Sequence, residues 1–96
     1  MEVRYLLPAS LEFLDAVEFY ESKAPGLGEE YIEEVEYALE LLSSHPQLGV
    51  PHLEGTRRVL LGRFPFDLVY LIESDTIVVV AVAHHRRQPG YWRDRT

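Results

Sequence analysis

Ile77 to Ala83 is an unbroken run of seven apolar residues, four of them valine. A strand of this composition is apolar on both sides, so it must lie inside a sheet or be covered on both faces. A 96-residue chain offers only a single small domain, which has little to spare for covering both faces. The run is also far shorter than the ~20 apolar residues that span a bilayer, so no membrane segment is expected. No charged start precedes an apolar stretch, so no secretory signal is expected either. With no cysteine in the chain, disulfide scaffolds, thiolate metal sites and thiol catalysis are excluded, which fits a cytoplasmic location.

The rest of the chain supplies one obvious cover. Met1 to Leu7 reads as a strand, with Val3 and Tyr5 alternating with Glu2 and Arg4. Pro8 suits the first turn of a helix over Ala9 to Lys23, whose apolar stripe is Phe13, Leu14, Val17 and Tyr20. Pro25-Gly26-Leu27-Gly28 reverses the chain into a second helix, Gly28 to Ser44, with the stripe Tyr31, Ile32, Val35, Ala38, Leu39 and Leu42. The short turn makes these an αα-hairpin. His45 to Gly55, broken by Pro46, Gly49 and Pro51, reads as irregular. Strands follow at Arg57 to Leu61, Phe66 to Ile72 and Thr76 to Ala83, joined by hairpin-length connections.

The expected fold is therefore α+β, a single domain over residues 1–96 in the order β-α-α-β-β-β. Its sheet is antiparallel, with the αα-hairpin packed on one face and the first strand beside either the second or the fourth. The other face carries Val69 and Leu71, or Leu68, Tyr70 and Ile72, depending on register. It needs the C-terminal tail or another protein to cover it.

Charge is distributed unevenly. Residues 1–54 hold twelve acids and two bases, whereas residues 55–96 hold four acids and seven bases, all arginine, for a net charge of −7. A globally acidic protein is a poor nonspecific nucleic-acid binder, but a basic patch at the C-terminal end remains open. The acids along the helices read as solvated surface. His45 and His52 stand seven apart across two prolines without a ligand spacing, so no metal and no cofactor is expected.

The chemistry concentrates in His84-His85-Arg86-Arg87-Gln88-Pro89-Gly90-Tyr91-Trp92-Arg93. Imidazoles with pKa values near neutrality beside guanidiniums can cleave a phosphodiester without a metal: a His moves the proton, and an Arg stabilises the charge that builds on the phosphorane. Adjacent strand residues point to opposite faces, so His84 and His85 share a cleft only if the strand has ended. In the alternative, one His is buried and hydrogen-bonded and the arginines form a solvated rim. Trp92 either caps the core or anchors a partner.

These residues resemble the RelE/ParE superfamily, toxins of bacterial type II toxin–antitoxin systems. The resemblance spans nearly the whole chain. It rests on Ala24-Pro25-Gly26-Leu27-Gly28, on His45-Pro46, on Arg63-Phe64-Pro65-Phe66 leading to Val69-Tyr70, and on H-x-R-R-x-P-x-x-W-x-x-R from His84 to Arg95. The last motif is characteristic of the ParE-like branch. Where RelE-like nucleases place an Arg after the aromatic that opens the third strand, this chain has Asp67, and Arg57-Arg58-Val59-Leu60-Leu61 is poorer in lysine than their second strand.

The resemblance implies a cytoplasmic, growth-inhibiting toxin of the kind that stabilises plasmids. It would inhibit DNA gyrase by protein binding, without enzymatic activity, and be neutralised by a cognate antitoxin. Arg63, Arg86, Arg87, Tyr91, Trp92, Arg93 and Arg95 are the candidate partner-binding residues. The alternative implied is a RelE-like endonuclease acting on mRNA at the ribosome, with His84, His85, Arg86 and Arg87 catalytic. A third is a non-toxic relative that retains only antitoxin binding. Homo-oligomer and hetero-oligomer with antitoxin both remain open. Such toxins are usually basic, whereas this chain has a pI near 5.0.

Overall fold

The computed structural model describes Met1–Thr96. Strand β1 (Glu2–Tyr5) passes through Leu6 into helix α1 (Leu7–Lys23), with Pro8 in its first turn. Ala9 and Ala16 are buried on the inner face of α1, with Phe13, Val17 and Tyr20 packed alongside. Leu14, which the stripe assigns to the core, is instead 55% exposed, because one helical step from Phe13 rotates it by about 100°. Helix α2 (Leu27–Ser44) buries Tyr31, Val35, Leu39 and Leu42 as its spacing requires. The turn between the helices is held by Glu21, whose carboxylate accepts the backbone N–H groups of Gly26 at 3.0 Å and Gly28 at 3.1 Å. This satisfies donors at the α2 N-terminus that have no helical partner. A Cβ at residue 28 would sit 2.8 Å from the Val17 carbonyl oxygen, so only glycine lets the helices approach this closely.

Four further strands complete the sheet: β2 (Val50–Pro51), β3 (Arg57–Leu60), β4 (Phe66–Glu73) and β5 (Thr76–His84), in the spatial order β1-β5-β4-β3-β2. The expected antiparallel sheet is in fact mixed. β1 lies beside β5, one of the two expected neighbours, but runs parallel to it, pairing Val3 with Ile77 and Tyr5 with Val79. The reason lies in the segment read as irregular. Val50–Pro51 pairs antiparallel with β3, which adds a chain reversal after α2 and makes β3 and β5 run the same way as β1. Tyr70 pins that segment: its hydroxyl accepts the Gly49 N–H at 2.9 Å and donates to the Pro46 carbonyl at 2.7 Å.

The αα-hairpin covers one face, where Leu68, Tyr70, Ile77, Val79 and Val82 meet the helices. Val69, Val80 and Ala81 face the other way and are covered by Trp92, with Leu71 and Tyr91 alongside. Inward alternation along β5 breaks at a bulge, since Val69 pairs with Ala81 while the next residue, Tyr70, pairs with Val79. Val80 is the extra residue. The tail thus supplies the second cover that the apolar strand demands. No helix is long and apolar enough to cross a membrane.

Candidate functional site

At the end of β5 the chain turns sharply. The Arg87 N–H donates to the His84 carbonyl at 2.9 Å, and the His85 N–H donates to the Pro65 carbonyl at 2.8 Å. The tail then folds back so that Trp92, 1% exposed, fills the second face of the sheet. Trp92 therefore caps the core and presents no surface to a partner. A large indole removed from water contributes on the order of 3 kcal/mol, enough to hold a short segment with little regular structure.

A second clamp fixes the tail to α1. Glu12 lies three residues after Ala9 and four before Ala16, at the edge of the helix face that approaches β5. Its carboxylate receives Arg95 through both terminal guanidinium nitrogens, at 2.8 and 2.9 Å, and accepts the Tyr91 hydroxyl at 2.6 Å. It also accepts the Val82 N–H at 3.0 Å, while Arg95 donates to the Val80 carbonyl at 3.0 Å. The ion pair so caps the edge of β5 beyond the end of β1, satisfying groups that no strand reaches. Burial alone would push the Glu12 carboxyl up, but the hydrogen bonds from Arg95, Tyr91 and Val82 outweigh it and hold the group below the usual carboxylate range. Tyr91 is pushed up, first by burial and then by its bond to Glu12. Arg95 is thus an internal tie, its side chain only 18% exposed.

The remaining predicted residues separate into three places. Arg86, Arg87 and Arg93 face outward. Arg87 stacks on the Tyr91 ring at 3.8 Å from its centroid, which fixes that guanidinium in place. Arg93 approaches Glu54 at 3.9 Å, a weak surface contact. Arg63 is not part of this strip: it is tied to α2, with its guanidinium 2.6 Å from Glu30 and its N–H donating to Glu34 at 3.0 Å.

His84 closes β5 and His85 lies in the turn beyond it, so both border one cleft. The His84 ring packs edge-on against Phe66, and its Nδ1 accepts the Arg86 N–H at 3.0 Å. Burial first, then the neighbouring Arg86, lowers its pKa. His85 lies on the tail-covered face, with Nε2 3.0 Å from an Asp67 oxygen; the other Asp67 oxygen is 3.5 Å from Arg58. These residues line a cleft of about 280 Å³ with Arg87, His52 and the edge of Trp92. His52 is lowered by burial and by Arg58, which favours its neutral form.

Sequence reasoning missed Glu12, and it missed that Arg58, Asp67 and His85 converge. The convergence follows from register. Leu60 pairs with Asp67 and Asp67 with Ala83, so Arg58 and His85, each two residues along, share its face.

The sequence matches the family model for the ParE toxin of type II toxin–antitoxin system, parDE, over residues 3–89. Comparison with curated proteins returns no match. Among solved structures, a chain from the chromosomal ParDE TA system from P. aeruginosa superposes with a TM-score of 0.62 at 20% identity. The alignment covers 88% of this chain and 95% of that one, a likeness of fold.

Proposed function

The chain belongs to the family of ParE toxins of type II toxin–antitoxin systems, and we propose that it arrests growth by binding DNA gyrase and is held inactive by a cognate antitoxin. The observation that carries this reading is the position of Asp67. Its carboxylate, 14% exposed, lies between Arg58 and His85. At the centre of the cleft the guanidinium that would grip a phosphate is already engaged by a carboxylate, and a polyanion entering there would meet Asp67. The outward cations Arg86, Arg87 and Arg93, of which only Arg93 approaches a carboxylate (Glu54, at 3.9 Å), suit docking to an acidic protein surface. Tyr91, anchored by Glu12, sets the position of Arg87 within that strip. Purified protein added to gyrase should inhibit supercoiling of relaxed plasmid, and inhibition should weaken as salt is raised through the physiological range. Full supercoiling at saturating protein removes the reading.

A second reading has one observation in its favour. The His85 contact to Asp67 orients an imidazole as an acid–base catalyst requires. Cleavage of translated mRNA by the wild type that is lost in His85→Ala would establish a ribosome-dependent nuclease. Intact mRNA with the wild type would dismiss it.

A further inference from the structure

Strand β1 is an open edge of the sheet, with β5 as its one neighbour. Its even-numbered residues turn their backbone groups to β5: the Glu2 N–H donates to the Asp75 carbonyl and the Leu6 N–H to the Val79 carbonyl. By strand alternation Val3 and Tyr5 turn theirs outward, where no strand meets them. The opposite edge of the sheet is blunted by Pro51 in the two-residue strand β2. β1 carries neither proline nor bulge. Hollows flank it on both faces. One of about 440 Å³ lies on the helix side, lined by Val3, Tyr5, Phe13 and Leu39. The other, of about 390 Å³, is lined by Glu2, Val3, Arg4 and Thr76. An added strand therefore has room for side chains above and below the sheet.

The sequence of β1 says which strand fits. Glu2 and Arg4 stand on either side of Val3, on the same face. An identical strand laid antiparallel about a two-fold axis at Val3 puts Glu2 opposite Arg4 twice over, the reciprocity of an isologous contact. An axis at Glu2 or at Arg4 would set like charges face to face, and one at Tyr5 would place Arg4 opposite Leu6. Val3 is also the residue whose backbone points outward, so the two copies can exchange both of its hydrogen bonds. In the same register Met1, 41% exposed, falls opposite Tyr5 and over the apolar hollow. The Ser43 hydroxyl already donates to the Met1 carbonyl at 3.1 Å, and the second lone pair of that oxygen is available to a Tyr5 N–H. Arg4 makes only a loose contact within the chain, 3.6 Å from Glu73.

We infer that a second copy of this chain pairs on β1, antiparallel about a two-fold axis at Val3, and joins the two sheets into one. The net charge of −7 on each copy opposes association and keeps the contact weak and dependent on concentration. Pairing is independent of the gyrase reading. β1 meets β5 over Thr76–Val79, whereas the outward arginines begin past His84, so the dimer presents two uncovered copies of the C-terminal strip.

Sedimentation equilibrium of the full chain from about 10 μM to about 1 mM should show the mass rising from 11.1 kDa toward twice that value. Over the same range hydrogen exchange at the Val3 amide should slow. Glu2→Arg and Arg4→Glu each replace two attractive pairs by two repulsive ones, and each should raise the dimer Kd about tenfold. An equimolar mixture of the two variants restores opposite charges at both positions, and should associate as tightly as the wild type. Both side chains are exposed, and thermal melts check that each variant folds. A mass that stays at 11.1 kDa throughout, dimers undisturbed by either variant, or a mixture that associates no better than its components overturns the proposal.

Discussion

Replacing Arg95 by alanine removes the tie between the tail and the rest of the fold. Three hydrogen bonds disappear, two to Glu12 and one to the Val80 carbonyl. Glu12 keeps the Tyr91 hydroxyl and the Val82 N–H, but its charge loses its counterion. A fully buried pair broken in this way costs 3–5 kcal/mol, whereas an exposed pair contributes under about 1 kcal/mol. The Arg95 and Glu12 side chains are partly buried, at 18% and 17% exposure, so a loss of about 2 kcal/mol is expected. For a domain of this size that lowers Tm by ~10 °C. The same change alters the acid limb of stability. The native bonds hold Glu12 below its usual range, so its contribution is fully present above the ordinary carboxylate pKa. That contribution is lost as pH falls through the lowered folded value. In Arg95→Ala the folded value rises toward the unfolded one, and the contribution above that pH shrinks. Urea melts followed by Trp92 fluorescence between pH 3 and about pH 7 read both effects, because Trp92 is the only indole in the chain. A variant within about 0.5 kcal/mol of the wild type, with the same acid limb and emission maximum, would refute the assignment of this pair as the clamp that holds the tail.

Trp92→Ala should cost about 3–5 kcal/mol, a large part of the stability of so small a domain, measured by urea unfolding monitored in the far-UV. Tyr70→Phe leaves the Gly49 N–H and the Pro46 carbonyl without their partner; a loss of about 2 kcal/mol is expected, with faster amide exchange at Gly49 and in β2. Asp67→Asn weakens the hold on Arg58 and His85 in the cleft, and should raise affinity for inorganic phosphate in an NMR titration, whereas unchanged affinity would show that Asp67 does not exclude anions.

The element order was legible because each segment carries a clean period. Tyr31, Val35, Leu39 and Leu42 read as one buried face, and they are one. The run Ile77 to Ala83 demanded covers on both sides, and Trp92 supplies the second. Strand direction was not legible. Val50–Pro51 is too short, and too rich in proline nearby, to show alternation, yet it adds the reversal that makes β1 parallel to β5. Leu14 misled for a related reason: an apolar residue beside the true stripe raises the same signal whether it faces the core or an absent partner. In the candidate site, composition located the arginines but not their partners. Glu12 is 83 residues from Arg95 in sequence, and nothing local distinguishes its carboxylate from the solvated acids around it. Asp67 is visible in the sequence as a departure from the nuclease pattern. That it engages both Arg58 and His85 depends on strand register, which no single strand reveals.

As proposed above, the outward guanidiniums of the C-terminal strip dock on gyrase, while Trp92 and Arg95 only hold the strip in place. Gyrase supercoiling assays with wild type and Arg86→Ala/Arg87→Ala, alongside thermal melts of both, test it directly. Inhibition by the wild type is expected, weakened about tenfold in the double variant, at an unchanged Tm because neither arginine is buried. Equal inhibition by the two proteins, or none by the wild type, would contradict it.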